Sequence, residues 1–325
     1  MASTDPVDVL IIGGGPAGLA AAATLARQQH TVLVFDSHKY RNDPTEQIHA
    51  VPTWDYRSPA DFRAESRKGI LDNYTTVSFR DAKISAVRKL DNDSGFEVTE
   101  ADGGKTHAGR KLVLATGVAD EFPDVKGYAE AWGKGIFHCL FCHGYEQRGG
   151  AGTSAGVLAV QLCASPPHAA HMARNALQLV SEVTVYTDGD EELAGKIRAI
   201  FEGGKGGNFK VDSRKVKHVE RAGKGVEVVV AFEDGSEKTE TFLVHNPKTH
   251  ATQPFVQQLG LESTPGGDIK VSPPFQQTSV KGVFAAGDGQ TPFKIVPQAL
   301  ASGSMCAAGV AAQLQAEKYG HPSLF

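Results

Sequence analysis

The tightest constraint on this chain lies near its start, where Gly13-x-Gly15-x-x-Gly18 separates an apolar run from an Ala/Leu-rich run. Val7–Ile12 (VDVLII) is β-branched and almost wholly apolar, which predicts a buried parallel strand. Leu19–Arg27 predicts a helix, and Thr31–Phe35 a second buried strand ending at Asp36. That order is a βαβ unit. Each glycine has a physical task. Gly13 makes a tight turn, Gly15 admits a pyrophosphate to the backbone, and Gly18 lets helix and strand approach. The helix N-terminus supplies N–H donors and positive dipole to the phosphates. Asp36, 18 positions after Gly18, is placed to accept hydrogen bonds from a ribose 2′-OH. A dinucleotide is expected here, and the motif alone does not separate FAD from NAD.

The rest of the chain repeats the theme. Helical segments are expected around Pro59–Leu71, strands at Val77–Val87, Gly95–Glu100 and Lys111–Ala115, and a turn at Thr116-Gly117. The pattern then restarts with a strand at Ala155–Leu162, a helix at His168–Val180 and a strand at Val183–Tyr186. Further strands are expected at Val226–Phe232, Glu240–Val244 and Gly282–Ala286, and a closing helix at Pro297–Tyr319. The fold class is α/β, with two Rossmann-like domains, the second inserted into the first. A length of 325 residues suits two domains.

Charge and hydropathy exclude several functions. Acidic residues exceed basic ones, 37 to 33, and no basic stripe stands out, so neither nucleic acid nor an anionic membrane is an expected partner. No apolar run approaches the roughly 18–20 residues of a membrane span. The N-terminus runs straight into a strand without a secretory pattern, so a cytoplasmic location is expected.

Four cysteines are too few for a disulfide scaffold. Cys139-Leu140-Phe141-Cys142 is a CxxC, whose spacing lets two sulfurs bond within one turn and lowers one thiol pKa. Half of a zinc site or two inert thiols are the alternatives. His138 and His143 adjoin the pair, yet sequence-adjacent ligands fit tetrahedral geometry poorly and no second CxxC exists, so no metal is expected. Cys163 and Cys306 are expected to be packed as small hydrophobes.

With GxGxxG, Ala115-Thr116-Gly117, the Gly287-Asp288 pair and the CxxC in this order, the chain resembles the low-molecular-weight thioredoxin reductases along essentially its whole length. The resemblance implies an FAD-binding domain at 1–118 and 247–325, and a nicotinamide-nucleotide-type domain carrying the CxxC at 119–246. It implies cofactor contacts from Gly13, Gly15, Pro16, Ala17, Gly18, Asp36, Ser37, Ala115, Thr116, Gly117, Gly287, Asp288, Gln298 and Ala299, with His49 as a further contact. By the same resemblance Cys142 faces the flavin, Cys139 exchanges with substrate, and a homodimer is expected.

Two departures refine this. Where thioredoxin reductases carry Asp after the CxxC, this chain has His143, whose ordinary pKa of about 6.5 suits it to accept a thiol proton at neutral pH. His138 is a second, weaker candidate. The second βαβ lacks a glycine loop: Gln161-Leu162-Cys163 stands where glycines belong, and Asp188 and Asp190 stand where a basic cluster would hold a 2′-phosphate. The segment HCLFCHGYE together with this eroded loop resembles the dithiol oxidases of the gliotoxin and holomycin type. That implies an FAD-dependent enzyme closing a small-molecule dithiol, of epipolythiodioxopiperazine type, to a disulfide, with O2 as acceptor and H2O2 as product. Leu140, where those relatives carry Pro, is expected to alter the redox poise. The alternatives are a thioredoxin or disulfide reductase drawing on NAD(P)H or a ferredoxin-like donor, and a passive flavin-binding module.

Overall fold

The run Val7–Ile12 forms strand β1, with Val9, Leu10 and Ile11 wholly buried, as expected of an apolar strand covered on both faces. It belongs to a computed structural model that describes residues 6–325. Helix α1 (Pro16–Ala26) returns the chain to β2 (Val32–Asp36), parallel to β1. Helix α2 (Pro59–Asn73) begins where Ser58 Oγ accepts the N–H groups of Ala60 and Asp61. The segment expected as one extended stretch, Val77–Val87, is two strands on opposite edges of the sheet. Strand β3 (Val77–Asp81) pairs with β2, and β4 (Ile84–Lys89) with β5 (Phe96–Glu100). The long strand β6 (Thr106–Leu114) pairs antiparallel with β5 along its first half and parallel with β1.

The chain leaves this unit through β7 (Val118–Glu121). The second unit spans Asp120–Thr249, and the described residues through Ala119 with His250–Phe325 form the first. Short elements open it: α3 (Tyr128–Ala131), β8 (Ile136–Phe137) and α4 (Leu140–His143). Then follow β9 (Ser154–Leu158), α5 (Pro166–Leu177), β10 (Glu182–Tyr186), α6 (Glu191–Glu202) and β11 (Phe209–Asp212). Strands β12 (Val216–Arg221), β13 (Val228–Phe232) and β14 (Glu237–Glu240) make an antiparallel meander. With β15 (Phe242–Val244), the parallel sheet runs β11-β10-β9-β15-β8. Strand β16 (Lys248–Ala251) pairs with β7 where the chain crosses back. Helix α7 (Phe255–Leu259), strand β17 (Val283–Ala285) and helix α8 (Val296–Tyr319) complete the first unit, with β17 parallel to the last residues of β6.

The strand expected at Ala155–Leu162 ends at Leu158. Ala159 N–H still donates to Tyr186 O (2.8 Å), but Gln161 turns to a positive φ of 50° and the chain enters a 3-10 turn over Gln161–Ala164. Neighbouring β10 ends at Tyr186, so the strand stops where its ladder partner does.

Candidate functional site

The first unit builds a cradle from three chain segments. Gly13 follows β1 with φ 121°, a conformation L side chains rarely adopt, and a Cβ there would lie 2.1 Å from Ala115 O. Its N–H donates to Phe35 O (2.8 Å), tying the turn to β2. Gly15 is the N-cap of α1, Pro16 its first helical residue, and buried Ala17 its second. A Cβ at Gly15 would meet nothing within 4 Å, whereas one at Gly18 would lie 1.9 Å from Gly13 O. The loop is therefore closed against the protein on one side and open on the other.

Gly14, which the spacing motif does not single out, is also constrained. A Cβ there would meet the Asp36 carboxylate at 2.2 Å. Asp36 is 5% exposed at the end of β2. Its Oδ1 accepts His38 N–H (2.9 Å) and its Oδ2 accepts the Tyr40 hydroxyl (2.6 Å). Both oxygens expected to face a ribose thus already hold the loop after β2, and their second lone pairs are what a sugar can use. Burial, with Asp36 beside it, holds the Tyr40 phenol protonated well above its usual range. Ser37 is exposed beside it. Arg63 on α2 lies over the Tyr40 ring (3.7 Å) and donates to Asn42 Oδ1 (3.1 Å) and Asp43 Oδ1 (2.8 Å). His49 sits in a bridged loop, with Nδ1 3.1 Å from Asp55 Oδ1 and its ring edge-on to Tyr56.

The Gly287–Gln290 turn before α8 joins the cradle. A Cβ at Gly287 would lie 3.0 Å from Ala17 Cβ and 3.9 Å from Ala299 Cβ, so α1, the turn and the start of α8 meet. Gln298 is the third residue of α8, and its carbonyl accepts the Ser302 hydroxyl (2.8 Å). Asp288 Oδ2 accepts Arg41 Nη1 (3.2 Å), a partner that no motif announced. Lys294 donates to Asp288 O (2.9 Å), Thr291 O (2.6 Å) and Asp268 Oδ1 (2.7 Å), with Lys294 and Asp268 side chains only 9% and 10% exposed. Gly117, φ 64°, faces open space, and Thr116 O accepts the Thr252 hydroxyl (3.4 Å). FAD fits this arrangement: an open glycine edge at a helix N-terminus suits a pyrophosphate, and the amide nitrogen of Gln290 is buried without a partner among the described residues.

In the second unit, Cys139 and Cys142 are joined as a disulfide, Cα–Cα 5.2 Å, across α4. The two sulfurs are bonded to each other rather than held apart as ligands. Cys139 O accepts the N–H groups of Cys142 (3.2 Å) and His143 (3.1 Å), so the turn that closes the sulfur ring is a helical one. His143 stacks on Phe137 (5.5 Å, 26°) and His138 on Trp132 (5.7 Å, 28°). Both imidazoles are half-buried, one on each side of the pair in sequence. Cys163 and Cys306 are wholly buried. Burial pushes the Cys163 thiol up to about 11, and raises Cys306 beyond the range of any physiological titration.

The segment after β9 presents no phosphate loop. The 3-10 turn Gln161–Ala164 fills it, with Asn246 N–H donating to Cys163 Sγ (3.2 Å) and Gln161 bonded to Glu121 O and Lys248 N–H. Helix α5 then begins with Pro166 and Pro167, so its first two helical positions carry no N–H at all. Asp188 and Asp190, expected only as repelling charges, have structural work. Asp188 accepts Lys215 Nζ (2.7 Å) and Val216 N–H (3.0 Å), and Asp190 caps α6 through Leu193 N–H (2.8 Å).

Comparison with known proteins identifies the family. A family model described as pyridine nucleotide-disulphide oxidoreductase matches residues 7–303. Thioredoxin reductase tcpT of Claviceps purpurea is 46% identical over 326 positions, covering 100% of this chain and 99% of that protein. Thioredoxin reductase aclD of Aspergillus oryzae is 46% identical over 309, covering 94% and 96%. Among solved structures, that of HlmI superposes with a TM-score of 0.84 at 26% identity, covering 98% of this chain and 96% of that one.

Proposed function

Because the chain belongs to the pyridine nucleotide-disulphide oxidoreductase family and is an FAD-binding enzyme of thioredoxin-reductase type, we propose that it is a dithiol oxidase. Its substrate is a small-molecule dithiol, closed to an intramolecular disulfide. The observation that carries this reading is the blocked start of α5. A dinucleotide needs backbone approach and free N–H donors. This helix offers a side-chain-filled 3-10 turn followed by two prolines. That supports a protein which draws its electrons from the thiol substrate rather than from NADPH.

The chemistry balances on the chain's own residues. His143 accepts the proton of an incoming thiol. The thiolate attacks Cys139, forming a mixed disulfide and releasing Cys142 as thiolate. The second substrate thiol then displaces Cys139 and gives it its proton, so the substrate loses two electrons and two protons: the pair takes both electrons and one proton, as Cys139 thiol and Cys142 thiolate, and His143 holds the other proton. When bound, FAD supplies the two-electron acceptor that reoxidises the pair, and O2 takes those electrons to give H2O2. Stacking on Phe137 keeps the His143 imidazole in a fixed plane beside the pair. The cofactor-holding roles of the Gly13–Gly18 loop, Asp36, Ala115–Gly117, Asp288, Gln298 and Ala299 belong to the same proposal. So do a cytoplasmic location and a homodimer; no helix of the described residues is long and apolar enough to cross a membrane.

The test is to mix the flavin-loaded protein anaerobically with dithiothreitol and, separately, with NADPH, following the visible flavin band. Bleaching by the dithiol, reversed by air with H2O2 formed, is expected. Rapid bleaching by NADPH would overturn the oxidase in favour of a reductase.

A further inference from the structure

Gln290 ends the short turn Gly287–Gln290, and its amide nitrogen is buried with no hydrogen-bond partner among the described residues. A buried donor without an acceptor is a rare and unfavourable arrangement, and each instance asks for a reason. Looseness is not the reason here. The backbone on both sides of Gln290 is held from outside: Lys294 Nζ reaches Asp288 O (2.9 Å) and Thr291 O (2.6 Å), and is itself paired with Asp268. Arg41 holds the Asp288 side chain (3.2 Å). Ser302 Oγ accepts Gly287 N–H (2.9 Å). The backbone that carries the donor is therefore held by contacts on either side of Gln290.

Its surroundings are the cofactor cradle. Positions Gly287 and Ala17 approach each other, as do Gly289 and Gly117 O, where a Cβ on Gly289 would lie 3.5 Å away. FAD presents acceptors all along its length, on the ring and on the ribityl chain. We infer that Gln290 Nε2 donates a hydrogen bond to FAD and is a binding residue for the cofactor, outside the glycine, Asp288 and α8 positions that the sequence motifs mark. The inference needs only FAD binding in the first unit and is independent of substrate and acceptor.

The experiment compares the full-length protein with Gln290→Leu, which keeps the bulk and deletes the donor, and with Gln290→Glu, which keeps the length. FAD is stripped and titrated back by flavin fluorescence, and melting midpoints are taken with and without saturating FAD. Loss of about tenfold in FAD affinity is expected in both variants. The FAD-free midpoint of Gln290→Leu should stay level or rise, because an unpaired polar group has been removed, so the stabilisation conferred by FAD narrows. Affinity within twofold of the unsubstituted protein in both variants overturns the inference. So does an equal fall of both midpoints at unchanged affinity, which is the mark of a residue that serves the fold alone.

Discussion

His138 and His143 bracket the redox pair, and only the second follows Cys142 directly within the helical turn. Replacing His143 by Gln should slow the reduction of the disulfide by dithiothreitol at pH 7 by about a hundredfold or more, the usual worth of a positioned base. The slowing should fade at alkaline pH, where the thiol ionises unaided; stopped-flow rates across pH read it directly. The same change at His138 should leave the pH profile in place. A third histidine sets the protein's tolerance of acid. His245 is wholly buried, with Nδ1 2.7 Å from Tyr128 OH and Nε2 3.2 Å from Val160 O, and burial pulls its pKa down to about 4. The unfolded chain takes up this proton near pH 6.5 while the fold resists it until about 4. The contribution is therefore intact above pH 6.5 and falls through that window as pH drops, by up to about 1.4 kcal/mol per pH unit. Denaturant titrations should show that His245→Asn, less stable at pH 7, loses less between pH 6.5 and 4. At this scale the sequence exposes what is written locally. Gly13, Gly15 and Gly18 follow from their spacing alone. Gly14 does not, because what confines it is the Asp36 carboxylate, which arrives from the next strand. Arg41 and Lys294 are equally silent, since each acts on the Gly287–Thr291 segment only once the chain has folded.

Elements with strong local signals were legible, and those defined by their partners were not. Strand β1 and helices α1 and α8 follow from apolar runs and Ala-rich stretches. Strand β8 has two residues and is defined by its neighbours, β15 on one side and the Trp132 bridge to Ile136 on the other. Helix α6 went unread: charged residues crowd its sequence, EELAGKIRAIFE, and only Leu193, Ala194 and Ile197 are buried. The turn before α8 makes its own prediction. Lys294→Met leaves Asp268 buried without its cation, and removing one partner of such a pair destabilises by about 3–5 kcal/mol. Urea unfolding should show most of that loss recovered by adding Asp268→Leu; if Lys294→Met is silent, the pair does not hold the turn. Helix α5 predicts an absence of binding. With Pro166 and Pro167 at its start, NADPH at millimolar concentration should give no calorimetric binding signal.

The insertion of one unit into the other was visible in the sequence, because a second βαβ pattern interrupts the first before the closing strand and helix resume it. Each unit has hydrophobic clusters of its own, around Ile11, Val34 and Val310 in one and Val157, Val183 and Phe242 in the other. A ligand that binds the folded form alone stabilises it by mass action, about 2.7 kcal/mol at a hundredfold excess over Kd. Scanning calorimetry with rising FAD should therefore move the transition of the unit carrying the Gly13–Gly18 cradle upward. A transition unmoved by FAD would remove the cradle from consideration as its seat.

The Cys139–Cys142 ring spans a sequence separation of only three. A loop so short constrains the unfolded chain by about 2 kcal/mol in the chain-entropy model, against about 4.7 for one of a hundred residues. Opening it parts no distant segments, and the turn around it is also held by the backbone bonds from Cys142 and His143 N–H to Cys139 O. A disulfide that closes a long loop would release distant segments, and more stability, each time it was reduced. Here the bond takes up two electrons when it opens, and the fold gives up little by opening it.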